Sequence, residues 1–139
     1  MKHLYLIAKH NTLEDFLKIV DDEISKPTRK RIEKILTIAK ARREVQAVAP
    51  KYVTKVAHHF GVKRSDIVGK CRDRDVSYIR GCIVLALERQ FPKANCADIT
   101  KHVSQPHYFL AHSRNVFEKN NRYDDYMRYY NECNELLTE

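Results

Sequence analysis

The sequence predicts an all-α protein, a helical bundle that contains a helix-turn-helix, and three observations support this. Only 3 Gly and 4 Pro occur among 139 residues, which is few for the many tight turns of a β-sandwich. Hydrophobic residues make up 43% of the chain and recur at helical spacing. The longest uncharged apolar stretch, residues 81–87, is far shorter than the roughly 20 residues that a membrane span needs. We therefore expect a soluble protein with a helical core.

Residues 1–49 are predicted to form a helical hairpin. Thr12 and Asp15 stand at capping-box-like spacing before an amphipathic helix that runs to about Ile24. Thr28 can cap a second helix toward Val48, and Pro50 marks its break. The apolar stripes of this hairpin need a partner surface. We expect residues 1–49 to pack on the rest of the chain or to form a homodimer with a second copy.

Residues 50–139 are predicted to form a second domain of shorter helices. The long segment from about Val76 to Phe91 is so apolar around its circumference that it must lie in the core. Two further helices flank a turn at residues 104–106, with Asn95 and Asp98 as a capping pair at the first and Pro106 at the start of the second. Two helices joined in this way have the outline of a helix-turn-helix. An acidic helix, residues 124–137, ends the chain.

The positive charge is concentrated in the middle of the chain. Residues 51–114 carry 12 basic and 5 acidic side chains, net +7, whereas residues 115–139 carry 3 basic and 6 acidic, net −3. A basic segment of this kind favours a polyanionic partner such as nucleic acid. The alternative is a solvated face that only keeps the protein soluble.

Metal, redox and catalytic sites are not supported by the spacing of reactive residues. The cysteines form no C-x-x-C pair, and His102, His107 and His112 are each turned about 140° from the last on a helix. Residues 1–9 lack the apolar length and cleavage site of a signal peptide. We expect a cytoplasmic protein that is not an enzyme and holds neither metal nor cofactor.

A family resemblance covers about residues 52–118. Its landmarks read V-A-H-H-F-G-V at 56–62, S-D-I at 65–67, K-C-R-D-R-D-V at 70–76, Arg80, D-I at 98–99 and L-A-H-S-R at 110–114. In this order they resemble the C-terminal DNA-binding domain, domain IV, of the bacterial replication initiator DnaA. That domain belongs to the Trp-repressor-like helix-turn-helix class. The resemblance implies a basic loop that reaches the minor groove of DNA and a recognition helix that enters the major groove.

The DNA-binding residues that we expect come from the basic loop, the start of the long helix and the second helix of the helix-turn-helix. They are Lys70, Arg72, Arg74, Arg80, Ser104, Gln105, His107, Tyr108, Ala111, His112, Arg114 and Asn115. Further phosphate contacts are expected at Lys55, Lys63, Arg64 and Lys101. The alternatives are that Tyr108 and His112 cover the core, and that Arg72 and Arg74 pair with the neighbouring aspartates.

Two departures from the family narrow the expected function. The family's turn G-G-R-D-H-T-T is replaced by S-Q-P-H-Y at 104–108, so we expect a different DNA target. No G-x-x-x-x-G-K-[ST] occurs in the chain, so no nucleotide is expected. The sequence thus predicts a sequence-specific double-stranded DNA-binding regulator of transcription or replication, of the kind that phages or mobile elements encode. The alternative is an adaptor that engages replication or transcription proteins through its helical surfaces.

Overall fold

The computed structural model describes residues 26–139, which form an all-α bundle and confirm the predicted fold class. Within this part of the chain there is no strand, and no helix is long and apolar enough to cross a membrane. Residues from Arg42 to Glu139 form one compact unit, and the predicted helix at residues 12–24 lies outside the described residues. The helices are α1 (Lys26–Phe60), α2 (Arg64–Ile67), α3 (Arg74–Gln90), α4 (Cys96–Thr100), a 3-10 turn (Lys101–Val103), α5 (Phe109–Asn120) and α6 (Asp124–Thr138).

The predicted break at Pro50 is wrong, because α1 continues through it to Phe60. Proline deprives the Gln46 carbonyl of its helical hydrogen bond. Both Gln46 and Pro50 are exposed, so water can bind that carbonyl. On the opposite face Val45, Ala49 and Val53 are fully buried at helical spacing. Their burial on both sides of the proline holds the two halves of the helix in line.

The central helix is α3, as its apolar sequence predicts. It packs extensively against α6 and α5. It begins at Arg74 rather than Val76, because the Asp73 carboxylate accepts hydrogen bonds from the backbone N–H groups of Asp75 and Val76 at 2.9 and 3.2 Å. The α3 backbone at Gly81 faces α5, since a Cβ there would lie at an ordinary contact distance of 3.4 Å from the hydroxyl of Ser113.

Buried aromatic rings and thiols connect α6 to α1 and α3. The hydroxyl of Tyr52 donates to the carbonyl oxygen of Cys133 at 2.7 Å, and the ring of Tyr126 meets the ring of Tyr78 edge to face. Burial raises the pKa of the Cys82 thiol to about 12. This thiol therefore stays protonated at neutral pH and serves as a core side chain.

The segment between α4 and α5 differs in detail from the prediction. Ser104 adopts a left-handed backbone with φ of 56°, and the N–H of Gln105 donates back to the Thr100 carbonyl at 3.1 Å. This arrangement ends the first helical segment sharply. The next helix starts at Phe109 rather than Pro106, because residues 106–108 form a turn in which the Pro106 carbonyl accepts from the N–H of Phe109 at 3.0 Å.

Replacing Pro50 by alanine should stabilise the protein. Pro50→Ala restores the N–H that the continuous helix lacks and removes a poor helix former, which should raise the free energy of unfolding by about 1–2 kcal/mol. Urea denaturation followed by circular dichroism measures this. The adjacent exposed residue gives the control, since Lys51→Ala should change stability by less than about 0.5 kcal/mol. A Pro50→Ala variant less stable than the wild type would contradict a continuous helix.

Candidate nucleic-acid interface

The α2–α3 loop and the turn between α4 and α5 border the same groove. Its volume is about 530 Å³. Three of the side chains that border it are cations and none is a carboxylate. The bordering residues are Val68, Gly69, Lys70, Cys71, Arg72, Ser77, Arg80, Ser104 and Gln105. Two segments that are more than 30 residues apart in sequence thus share one positively charged concavity.

Arg80 supports the α2–α3 loop, which forms one wall of this groove. Its side chain is buried, and its guanidinium donates to backbone carbonyls instead of pairing with a carboxylate. Nε lies 2.7 Å from the Ile67 oxygen, and Nη2 lies 2.8, 3.1 and 3.4 Å from the oxygens of Asp66, Cys71 and Gly69. Burial lowers the pKa of Arg80, but an arginine remains charged at neutral pH. The loop therefore folds around a fixed positive charge.

The structure gives Arg80 a positioning role beside its predicted role in DNA binding. Its Nε and Nη2 atoms are committed to the loop. Its Nη1 atom makes no hydrogen bond within residues 26–139, and the residue borders the groove. The Nη1 donors are therefore available to an anion that enters the groove.

Gly69 permits the tight course of the same loop. A Cβ at this position would stand 2.4 Å from the backbone oxygen of Ser65, which no real contact tolerates. Lys70 and Arg72 follow directly and are exposed. The glycine thus allows the loop to place two exposed cations at the rim of the groove.

Arg74 lies apart from the groove, at the first residue of α3. Its Nη2 is 3.4 Å from carboxylate oxygens of Asp75 and of Asp125 in α6, and its guanidinium lies 5.7 Å from the centre of the Tyr78 ring. For Arg74 the structure contains the aspartate pairing that the sequence left as an alternative. Arg72 has no such pair among the described residues, and the Oδ1 atom of its neighbour Asp73 caps α3.

The outward face of α5 carries most of the predicted base-reading side chains. Leu110 and Ser113 are buried, whereas Tyr108, Ala111, His112 and Asn115 are exposed. Tyr108 is 66% exposed, so the alternative that it covers the core is wrong, and the same holds for His112. His107 is exposed in the turn before the helix, and its ring contacts that of Tyr108.

Lys119 belongs to this face and was missed by the sequence reasoning. It is exposed one helical turn after Asn115, so the 3.6-residue period that predicts the helix also identifies it. Arg114 lies on the flank of α5 and pairs with Glu88 of α3. Of the other predicted phosphate contacts, Lys55 pairs with Glu139, the residue after α6, at 2.9 Å, and Arg64 donates to the hydroxyl of Thr54.

Asp98 holds α4 to α1 and does not cap α4. No side-chain cap forms at Asn95, so the predicted Asn95–Asp98 capping pair is wrong. Both carboxylate oxygens of Asp98 instead accept from Nε of Arg42, at 3.1 and 3.0 Å. The carboxylate is nearly buried, so this ion pair fixes the helix that precedes the turn.

No protein-family model, curated protein or solved structure matches this chain.

Loss of the Arg80 fork should destabilise the protein. In Arg80→Lys a single ammonium cannot reach the carbonyls that the planar guanidinium spans, and buried oxygens lose their donors. We expect the free energy of unfolding to fall by about 2–4 kcal/mol, measured by urea denaturation. Arg72→Lys, the same substitution at the exposed rim, should change it by less than about 0.5 kcal/mol. Equal stabilities for the two variants would show that Arg80 does not anchor the loop.

Proposed function

We propose that this protein binds double-stranded DNA in a sequence-dependent way and regulates transcription or replication. The observation that carries the proposal is the continuity of two surfaces across residues 104–108. Before this turn lies the basic groove, and after it the exposed polar face of α5 begins. The first surface suits phosphate, and the second suits the edges of bases.

The groove has the chemistry of a phosphate contact. Lys70 and Arg72 are exposed at its rim, and no carboxylate among the residues that border it competes with an anion. Ser104 and Gln105 add neutral polar side chains on the opposite wall. Contacts of this kind fix the register of a protein on a duplex without reading its sequence.

The size and composition of α5 suit the major groove. Its 12 residues make it about 18 Å long. The major groove of B-DNA is about 12 Å wide and admits one helix. In a helix-turn-helix the N-terminal residues of the second helix contact base edges. Ala111 can meet a thymine methyl group, and Asn115 can bind adenine in a bidentate manner.

We assign α4 and α5 to a helix-turn-helix like that of DnaA domain IV. The order of elements over residues 52–118 supports this assignment, and so does the sharp end of the first helical segment at Ser104. Residues 1–25 lie outside the described structure, so dimerisation through residues 1–49 stays a prediction. If it occurs, the DNA site should be palindromic.

The adaptor alternative has less support from the surface. The exposed large hydrophobic side chains among the described residues are Ile35, Tyr108 and Tyr123. They lie on three separate segments of the chain: α1, the turn before α5 and the residue before α6. Within the unit from Arg42 to Glu139 this leaves two exposed large hydrophobic side chains, both tyrosines, as apolar contacts for a protein partner. RNA is less favoured as well, because a helix cannot enter the deep, narrow major groove of an A-form duplex.

Binding to duplex DNA should depend steeply on salt. The measurement is fluorescence anisotropy with labelled 30-base-pair duplexes selected by the protein from a random pool. If the protein makes about four phosphate contacts, a rise in salt from about 50 to 200 mM should weaken binding roughly 100-fold. Arg72→Ala should weaken binding to all duplexes and lower the salt slope by about one.

The matched control removes the same charge from a different surface. Arg128→Ala on α6 should leave the affinity and the salt slope unchanged. Absence of binding at 50 mM salt would refute the proposal. Equal losses from Arg72→Ala and Arg128→Ala would show that only net charge matters and that the groove is not a specific contact.

Asn115 should contribute to sequence preference. Asn115→Ala should cost about 1–3 kcal/mol on a selected duplex and almost nothing on a scrambled duplex of equal length. Competition anisotropy with both duplexes measures this difference. Asn131→Ala, at an exposed position of α6, is the control and should affect neither duplex. A variant of Asn115 that keeps the full preference would exclude this residue as a base reader.

A further inference from the structure

Arg114 is held in one orientation by a carboxylate on the neighbouring helix. Its Nε donates to Oε1 of Glu88 at 3.1 Å, and its Nη2 donates to Oε2 of the same carboxylate. The pair joins α5 to α3, the central helix of the bundle. Two parallel hydrogen bonds fix the plane of the guanidinium as well as its position.

Glu88 binds one side of the Arg114 guanidinium, so a second pair of N–H donors stays free. The carboxylate occupies the Nε side of the guanidinium. Of the five N–H groups of arginine, both on Nη1 and one on Nη2 remain. No other residue in the described part of the chain accepts from them, and the Arg114 side chain is 50% exposed. These donors point away from Glu88 as an end-on pair.

We propose that Arg114, oriented by Glu88, reads a guanine in the major groove of the DNA target. This inference rests on the proposed DNA-binding function. Guanine presents two acceptors, O6 and N7, that match one arginine fork. Arg114 precedes Asn115 on α5 and lies at the edge of the outward face that the helix would insert into the groove.

Electrostatics favours guanine over phosphate as the ligand of this fork. The Glu88 carboxylate neutralises the charge of Arg114, so the pair as a whole gains little from the negative field of the backbone. Hydrogen bonds to a neutral base edge need direction more than net charge, and a fixed guanidinium supplies direction. Lys70 and Arg72 lack such a carboxylate partner within residues 26–139, and they are better suited to phosphate.

The test uses the full chain, a duplex selected from a random pool, and copies of that duplex in which single guanines are replaced by 7-deazaguanine. This base lacks the N7 acceptor. We expect one position at which the replacement weakens wild-type binding roughly tenfold or more. Arg114→Ala should be insensitive at that position. Arg114→Lys should bind the selected duplex more weakly than the wild type, since it keeps the charge but lacks the Nε–H that lets Glu88 hold the guanidinium in a fixed plane.

Glu88→Gln separates orientation from charge. It should weaken binding to the selected duplex and leave binding to a scrambled duplex unchanged or stronger, because it removes a negative charge. The ratio of the two affinities should therefore fall several-fold. Glu135→Gln, at an exposed position of α6, removes the same charge and should leave the ratio unchanged. Urea denaturation of each variant verifies that it is folded.

Two results would overturn the inference while the proposed function stands. The first is a wild-type protein that discriminates between duplexes without sensitivity to any 7-deazaguanine. The second is an Arg114→Ala variant that weakens all duplexes equally and lowers the salt slope by about one, which would make Arg114 a phosphate contact. Wild-type protein that binds no duplex at low salt would instead refute the proposed function itself.

Discussion

The hydrogen bonds from Arg80 to the carbonyls of the α2–α3 loop determine where the basic side chains of this protein lie. A buried guanidinium is costly unless its donors are satisfied, and four backbone oxygens satisfy Nε and Nη2 here. Because those oxygens belong to residues 66–71, the requirement fixes the course of the loop. The exposed rim residues Lys70 and Arg72 then have defined positions beside the turn at Ser104. The groove is therefore a consequence of how one charge is buried.

The same helix that carries Arg80 organises the other half of the interface. Gly81 faces α5, and Glu88 holds Arg114 two helical turns after Arg80, about 12 Å further along α3. Ile83 and Leu87 between them are fully buried. The polar groups that position the two surfaces are thus fixed to the most deeply buried helix, which keeps the spacing between the groove and α5 rigid.

The fold could largely be predicted from local sequence, but the partners of individual polar side chains could not. The central helix is predictable because its apolar residues surround it, and Lys119 is recoverable from helical period alone. The helix break predicted at Pro50 was wrong because the effect of a proline depends on whether water can reach the Gln46 carbonyl, and the sequence does not show this. Asp98 has a partner, Arg42, that is 56 residues away. Its three-residue spacing from Asn95 matches a helix-capping pair, but its carboxylate binds the distant Arg42 instead. The partners of Arg80 and Glu88 were unpredictable for the same reason, because each side chain bonds to another segment of the chain.

The acidic last helix explains why the net charge of +8 does not spread evenly over the surface. Carboxylates in and directly after α6 bind side chains of α1 and α3: Glu139 binds Lys55, Glu132 binds His59, and Asp125 binds Arg74. The His59 contact, aided by Arg128, lowers the pKa of Glu132, so this carboxylate stays charged at neutral pH. Elsewhere, Asp98 pairs with Arg42 and Glu88 pairs with Arg114. The groove cations Lys70 and Arg72 have no carboxylate partner among the described residues. The charges of these two side chains are therefore not offset by a direct ion pair in this part of the chain, and they remain available to an anion in the groove.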